Sequence, residues 1–257
     1  MARHIDIYCN GNALTAAVPT ALLQNVVEDT AQVDIETSPR AGVFGQFIDT
    51  AQRRSLAVHV DFAIRELYDL SKRAQAQTWA AKWAQDGYLT VSYRPYQRLR
   101  VTVSQRPTLL SVRNYAQAFR ASFTAYSVPY WQDSGVTTQT LTGTDKTGTI
   151  TPTGTLGKLP TAVTVTHSSG TLTTLTLTAG STQMAFTGLS VAAGTALTIA
   201  YDDDYNLTIK AGTTGVMSAR TAASSDHLLL TPGVENTIRV QANVSVSAEF
   251  SVRGLYL

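Results

Sequence analysis

Three adjacent carboxylates, Asp202, Asp203 and Asp204, are the closest approach to a metal site in the sequence. Carboxylate oxygens suit Ca²⁺, but calcium loops usually place their ligands two residues apart and add a glutamate several residues later. Here a segment without carboxylates follows, and the next acid is Asp226. Aspartate also supports tight turns, because it accepts hydrogen bonds from nearby backbone N–H groups. We therefore favour a turn between two strands over a metal site, and we expect no cofactor.

Aromatic and basic side chains alternate between residues 93 and 100. Such a segment could stack on nucleic-acid bases and neutralise phosphates. However, the formal net charge of the chain is only +2, and the sequence contains no nucleic-acid-binding motif. Tyrosine and arginine are also enriched at protein interfaces. The sequence therefore predicts a protein interface rather than nucleic-acid recognition. Its candidate residues are Tyr93, Arg94, Tyr96, Arg98 and Arg100.

The sequence shows no convergent set of catalytic groups. Its four histidines, His4, His59, His167 and His227, are far apart and have no metal-ligand spacing. No nucleophile-elbow, phosphate-loop or dinucleotide-binding motif occurs between a strand and a helix. His59 falls on the polar face of a predicted strand, which favours a surface histidine. Because an enzyme of this size should bring such groups together, we expect no enzymatic activity.

The composition is typical of a folded protein with few charges. Charged residues make up 15% of the chain, against roughly 25% in typical globular domains, so much of the surface is neutral polar or is buried against partners. The single cysteine, Cys9, excludes an internal disulfide. No apolar run has the length of a signal peptide or a membrane span. We expect synthesis in the cytoplasm and no membrane insertion.

The composition changes abruptly near Trp131, which predicts two domains, 1–131 and 132–257. Up to Trp131 there are 14 Lys and Arg, 10 Asp and Glu, and 16 of the 21 aromatic residues. From Gln132 onward there are 6 Lys and Arg, 8 Asp and Glu, 5 aromatic residues and 28 threonines. The run of threonine and glycine over residues 135–157 predicts a linker or an exposed arm.

The first domain is predicted to combine strands with one helix. Residues 56–64 alternate between apolar and polar, as in a half-buried strand. Residues 69–86 follow a helical period, with Asp69 as N-cap and Gly87 just past the end. Trp79 and Trp83, one turn apart, are interpreted as core anchors rather than as a sugar platform. Further strands are predicted over residues 88–93, 98–104, 109–113 and 115–126.

The second domain is predicted to consist of strands alone. Short strands with glycines between them are typical of a β-sandwich or jelly roll. Threonine on the outward face satisfies β-propensity without charge. The predicted strands are 162–166, 172–178, 183–187, 196–201, 206–210, 226–230, 236–242, 244–250 and 252–257.

With these elements in order, the chain resembles the distal tail protein family of long-tailed bacteriophages. The first residues that carry the resemblance are SLAVHVDFAIRE (55–66) and AKWAQDGYLTVSYRPYQRLRV (81–101). They are followed by FTAYSVPYW (123–131) and by the C-terminal segment LLLTPGVENTIRVQANVSVSAEFSVRGLYL (228–257). No single motif is diagnostic, and the serial order of the segments carries the likeness.

The resemblance implies a mostly β fold, with an N-terminal β-sandwich bearing a helix and a C-terminal sandwich of galectin-like or carbohydrate-module type. It also implies a homo-hexameric ring, formed by the N-terminal domains, that continues the tail tube. Such a ring would join the tail tube protein to the tail-tip hub protein and anchor receptor-binding or other baseplate proteins. The implied location is the tail tip of the virion, and the implied role is structural.

Two other classes of function are open alternatives. The C-terminal sandwich could be a carbohydrate-binding module that contributes to adsorption on the host cell surface, although only five aromatic residues are available there. The chain could also be a β-rich hydrolase carried on a tail tip. The absence of paired carboxylates from the sequence disfavours that class.

Overall fold

The computed structural model describes residues 5–29, 32–39, 46–65, 70–113 and 115–256, with the backbone alone for 32–39, 46–54 and 70. The chain divides into two compact units, Met1–Trp131 and Gln132–Leu257. The division falls at the residue where the composition changes. None of the helices within the described ranges is both long enough and apolar enough to cross a membrane.

The N-terminal unit is an antiparallel sheet accompanied by helices. Its elements are β1 (Ile7–Cys9), β2 (Asn12–Ala13), α1 (Leu14–Ala17), β3 (Ala21–Glu28), β4 (Gln32–Pro39), β5 (Gln46–Ile64), α2 (Leu70–Trp83), β6 (Gly87–Val91), β7 (Gln97–Arg113) and β8 (Ala116–Ala125). The strands are hydrogen-bonded in the order β2-β1-β6-β7-β8-β5-β3, and β4 pairs with β5. A short strand, β9 (Trp131–Asp133), begins at the last residue of this unit.

Strand β5 confirms the alternating pattern read from residues 56–64. Val58, Val60 and Phe62 are fully buried, while His59 and Asp61 between them are partly exposed. β5 is longer than predicted, because its first half pairs with β4 and its second half with β3 and β8. The core of the unit therefore lies against one face of β5 and β8, and polar side chains occupy the opposite face.

Helix α2 packs on this core through Trp83. The Trp83 ring lies edge-on to Phe62 and Phe123, with ring centres 5.9 and 5.8 Å apart, and its Nε1–H donates to the Asn12 carbonyl. Trp79 is only partly buried. The core-anchor interpretation therefore fits Trp83 better than Trp79.

The predicted end of α2 at residue 86 is wrong, because the helix stops at Trp83. Asp86 lies beyond the helix, where its carboxylate accepts the Val103 N–H of β7 at 2.7 Å. Gly87 is the first residue of β6 and has φ of +139°, and an added Cβ would lie 1.9 Å from Asn10 Oδ1. Gly87 is therefore needed for a close approach within the sheet. The predicted N-cap, Asp69, lies outside the described residues.

The strands predicted over 98–104 and 109–113 form one strand, β7. Its pairing with β8 is interrupted between Val103 and Gln105, between Gln105 and Thr108, and between Leu109 and Ser111. These irregularities carry the strand past Pro107, which has no N–H to donate to a ladder. β7 therefore remains one strand from Gln97 to Arg113 despite these shifts in register.

The C-terminal unit is also an antiparallel sheet. Its elements are β10 (Thr137–Ile150), β11 (Leu159–Thr166), β12 (Thr171–Leu172), β13 (Leu175–Ala179), β14 (Thr182–Phe186), β15 (Val191–Ala192), β16 (Leu197–Tyr201), β17 (Leu207–Ala211), β18 (Thr214–Gly215), the 3₁₀ turn Met217–Ala219, β19 (Leu229–Leu230), β20 (Asn236–Val252) and β21 (Leu255–Tyr256). The main order is β14-β13-β20-β11-β16-β17-β18. Inward residues such as Val163 and Val165 are buried, and Thr164 between them is exposed. The predicted mostly β fold is confirmed in both units.

The prediction of a linker or exposed arm over residues 135–157 is wrong for most of that segment. Thr137–Ile150 form β10, which pairs along almost the whole length of β20. The pairing includes an ion pair in which Arg239 Nε and Nη2 donate to the two oxygens of Asp145, at 2.8 and 2.6 Å. β20 likewise unites the strands predicted over 236–242 and 244–250.

Candidate protein interface

The carboxylate of Glu28, the last residue of β3, organises part of the predicted interface. The Tyr93 hydroxyl donates to Oε1 at 2.8 Å, and Arg94 Nη2 donates to Oε2 at 3.3 Å. Trp131 Nε1–H donates to Oε2 at 3.0 Å. One carboxylate thus connects the end of β3, the turn between β6 and β7, and the last residue of the N-terminal unit.

Two partners of the Glu28 carboxylate, Tyr93 and Arg94, are held in place by their surroundings. Burial, followed by the hydrogen bond to Glu28 and its negative charge, raises the pKa of Tyr93 to about 12. Tyr93 therefore keeps its proton at neutral pH and acts as the donor. The guanidinium of Arg94 also lies 5.1 Å from the centre of the Trp131 ring, within the range of a cation–π contact. Arg94 is accordingly a residue that holds the cluster together.

An exposed aromatic and apolar surface lies beside this cluster. Tyr93 is 49% exposed and Tyr96 78%, and Ile5 is exposed as well. Ile5 reaches this position because β1 and β6 extend side by side, with the Ser92 N–H donating to the Asp6 carbonyl at 3.0 Å. We name Ile5, Tyr93 and Tyr96 the Tyr96 surface. Exposed apolar groups gathered in this way mark interaction sites more often than isolated ones do.

The other two candidate residues lie on β7 and do not join the Tyr96 surface. Arg98 places its guanidinium carbon 3.9 Å from the centre of the Tyr88 ring on β6. Arg100 is half-buried and pairs in register with Tyr88. Arg98 therefore stacks on Tyr88, and Arg100 lies opposite Tyr88 in the ladder. The assignment of all five residues to an interface stays a prediction, which the geometry supports best for Tyr93 and Tyr96.

The three aspartates form the loop between β16 and β17, with the hydrogen bonds of a turn. Asp202 Oδ1 accepts the N–H groups of Asp204 and Asn206, both at 2.9 Å. Asp202 Oδ2 accepts the Asn206 side-chain amide, and the Tyr205 N–H donates to the Asp202 carbonyl. The Asp202 carboxylate is thus used by the loop itself. Within the described part of the chain, no three His, Cys, Asp or Glu side chains are placed to hold a metal ion.

Comparison with solved structures gives an informative likeness. No protein-family model matches the sequence, and no curated protein matches it. The crystal structure of the Dit protein (gp 19.1) of phage SPP1, described as a paradigm of the hub adsorption apparatus in phages that infect Gram-positive bacteria, matches with a TM-score of 0.72. The alignment has 15% identity and covers 97% of this chain and 98% of that one.

This chain has the fold of a Dit protein. The fold implied by the resemblance to distal tail proteins is therefore confirmed. A baseplate structure of phage P2 in its activated conformation with calcium also aligns, over 99% of this chain and 98% of that one. Its TM-score of 0.46 and identity of 10% are too low to establish a common fold.

One group of side chains on the Dit fold was missed by the sequence analysis. His59 on β5 has Nε2 3.0 Å from Asp29 Oδ2 and Nδ1 2.8 Å from Ser122 Oγ. These residue types are those of a hydrolase triad. However, Ser122 is only 4% exposed in the middle of β8, and its hydroxyl also donates to Gln105 at 3.2 Å.

Because Ser122 is buried and its hydroxyl is shared between His59 and Gln105, the group forms a hydrogen-bond network between strands. His59 is thus not a simple solvated histidine. His59 lies on the polar face of β5, opposite Ser122 in the β5–β8 register. Predicting that register from the sequence would have brought the two residues together.

Proposed function

We propose that this chain is a structural protein of a phage tail tip or baseplate. The observation that supports this most strongly is the fold match to the SPP1 Dit protein, which spans nearly the whole length of both chains. On this proposal the chain is synthesised in the host cytoplasm and resides in the virion, at the tail tip.

In the finer form of this proposal, the N-terminal units associate into a homo-hexameric ring. The ring connects the tail tube protein to the tail-tip hub protein, and it anchors host-recognition components such as receptor-binding or other baseplate proteins. The Tyr96 surface supports self-association, because exposed tyrosines are favoured at interfaces. The proposed role requires no catalysis and no cofactor, and burial of Ser122 is consistent with that.

Two experiments test the proposal. Negative-stain imaging and sedimentation of the purified full-length chain should show a ring of six copies. Immunogold labelling of intact virions with an antibody against the chain should mark the tail tip. Labelling of the head, or absence of the chain from purified virions, would show that the proposed location is wrong.

A covalent probe addresses the alternative of a hydrolase. A fluorophosphonate that labels activated serines should leave the native chain unlabelled, because Ser122 lies within the sheet. Labelling that disappears in Ser122→Ala and in His59→Ala would establish a reactive serine and would overturn the non-enzymatic assignment. Heat-denatured chain serves as the control for unspecific labelling.

The alternative of a carbohydrate-binding module receives less support. Of the five aromatic residues in the C-terminal unit, Phe186 and Phe250 are buried in the core. A sugar platform would have to be built from the remaining Tyr201, Tyr205 and Tyr256. The structure therefore narrows the set of residues that such a site could use.

A further inference from the structure

Two chemically labile dipeptides lie side by side in the N-terminal unit. Asn10 and Gly11 form the turn between β1 and β2, and Asp86 and Gly87 end the junction between α2 and β6 (residues 84–87). Both glycines are required by the backbone, since φ is +79° at Gly11 and +139° at Gly87. A glycine also leaves its own nitrogen unshielded, because it has no side chain. In Asn–Gly and Asp–Gly this nitrogen therefore attacks the preceding side chain more readily than in other dipeptides.

The reaction closes a succinimide ring and consumes only water. At Asn10 the Gly11 nitrogen bonds to Cγ, the Cγ–Nδ2 bond breaks, and Nδ2 leaves as ammonia with the Gly11 proton. Water then opens the ring at either carbonyl, which gives aspartate or isoaspartate. At Asp86 the Gly87 nitrogen closes the same ring, and a carboxyl oxygen leaves as water with the Gly87 proton and one proton from solvent. Water reopens that ring to aspartate or isoaspartate, and isoaspartate carries an extra methylene in the main chain.

Hydrogen bonds to the α2–β6 junction hold the Asn10 amide in place. Its Nδ2 donates to the Asp86 carbonyl at 2.9 Å, and its Oδ1 accepts the Tyr88 N–H at 2.8 Å. An added Cβ at Gly87 would overlap Oδ1, so the amide packs directly against the backbone of that glycine. Attack on Cγ requires the amide to rotate until its face meets the Gly11 nitrogen. That rotation breaks both hydrogen bonds.

The same contacts hold Asp86 on both sides of its Cγ. Its carbonyl accepts the Asn10 amide, and its Oδ1 accepts the Val103 N–H of β7 at 2.7 Å. Asn10 and Asp86 are both exposed, so water reaches both side chains. Protection from the reaction therefore comes from geometry and not from burial, and the Asn10 amide is the group that links the two dipeptides.

We propose that Asn10 and Asp86 are paired modification sites, each kept from succinimide formation by its contacts with the segment of the other. Modification then requires local opening of the α2–β6 junction, and its rate follows how often the junction opens. The change is irreversible. Aspartate at position 10 directs a carboxylate oxygen at the Asp86 carbonyl where Nδ2 now donates, so the junction cannot close again with the same bonds. The time for which the chain keeps its covalent structure therefore depends on this junction, whatever the role of the chain in the virion.

The first test compares two Asn–Gly dipeptides in one full-length chain. Ser169→Asn creates the second in an exposed loop, where Gly170 has nearly the same φ as Gly11, +74°. The folded variant is incubated in mildly alkaline buffer, and its peptides are analysed by mass spectrometry. Deamidation at Asn10 should be roughly tenfold or more slower than at residue 169, because it requires prior opening. In urea the two sites should react equally fast. Equal rates in the folded chain, or a difference that persists in urea, would overturn the inference.

The second test removes the link between the two sites. Asn10→Gly deletes the amide and still allows the positive φ of +50° at this position. Isoaspartate at Asp86, measured with an isoaspartyl methyltransferase, should then rise several-fold in the folded chain. Asn12→Ala is the matched control, because Asn12 is an exposed asparagine of the same hairpin whose carbonyl, and not its side chain, accepts the Trp83 Nε1–H. Circular dichroism verifies that each variant is folded. Unchanged isoaspartate in folded Asn10→Gly, or an equal rise in Asn12→Ala, would overturn the pairing, and the comparison within the Ser169→Asn chain does not depend on either variant.

Discussion

The two units have the same kind of antiparallel sheet, and each has a bidentate arginine–aspartate pair across strands, but they differ in the loops and in the side chains they expose. In the N-terminal unit, polar side chains bond to one another across strands, as in the bidentate pair between Arg120 and Asp61 at 2.7 and 2.8 Å. In the C-terminal unit many of them bond to the backbone of loops. Asn236 accepts the Thr231 N–H at 2.9 Å, and Asn243 accepts the N–H groups of Thr173 and Thr174 at 2.9 and 3.1 Å.

The exposed side chains of the N-terminal and C-terminal units also differ. The exposed residues of the C-terminal unit include many threonines. The N-terminal unit presents exposed tyrosines and leucines at both ends of β7. Association should therefore depend on the N-terminal unit. The predictions below test the packing, ionisation and ligand binding of each unit.

The largest expected effect is in the N-terminal core. Trp83→Ala should lower the free energy of unfolding by roughly 3–5 kcal/mol, because the ring is buried between Phe62 and Phe123. Trp79→Ala should cost about 1–2 kcal/mol, since that side chain is only partly buried. Urea denaturation followed by circular dichroism measures both changes. Equal losses for the two variants would contradict the packing of α2.

A smaller loss of stability is expected for a substitution at Gly254, which is closely packed in the C-terminal unit. An added Cβ at Gly254 would lie 2.2 Å from Asp133 Oδ2 and 3.0 Å from the Thr153 carbonyl. Gly254→Ala should therefore destabilise the unit by about 1–3 kcal/mol. Gly135→Ala is the matched control, because a Cβ there meets no atom within 4 Å. The prediction fails if thermal unfolding shifts equally in the two variants.

The elements that could be predicted from sequence are those whose signal is local. Residues 56–64 alternate strictly, and the helical period around Trp83 is uninterrupted. Strand β10 could not be recognised, because only Leu141 and Ile150 among its residues are buried and its partner, β20, follows about a hundred residues later. The cluster around Glu28 was missed for a similar reason. Tyr93 and Trp131 are 65 and 103 residues from Glu28 in the sequence, and only the folded sheet brings them to its carboxylate.

Each unit contains a tyrosine that resists ionisation. Burial raises the pKa of Tyr201 to about 12, as burial and Glu28 do for Tyr93. In the unfolded chain both ionise near pH 10, so the unfolded state releases these protons first as the pH rises. The folded state should therefore lose stability between about pH 10 and 12, and below pH 10 these two groups should give the stability no pH dependence.

Ultraviolet titration of tyrosinate checks this pH dependence. Tyr93→Phe and Tyr201→Phe should each remove one late-titrating group. If either tyrosine ionises near pH 10 in the folded protein, its ring is more accessible to water than the structure indicates.

The smallest expected effect concerns the loop of three aspartates. Millimolar calcium, or a chelator, should leave thermal unfolding unchanged to within about 1 °C, because Asp202 uses both carboxylate oxygens for the turn. Calcium would need several oxygens directed at one point, and adjacent residues of an extended chain direct their side chains alternately. Asp203→Ala is the informative variant, since it leaves in place the Asp202 carboxylate that closes the turn. A calcium-dependent rise of several degrees that disappears in Asp203→Ala would make this loop a metal site and would give the C-terminal unit a ligand.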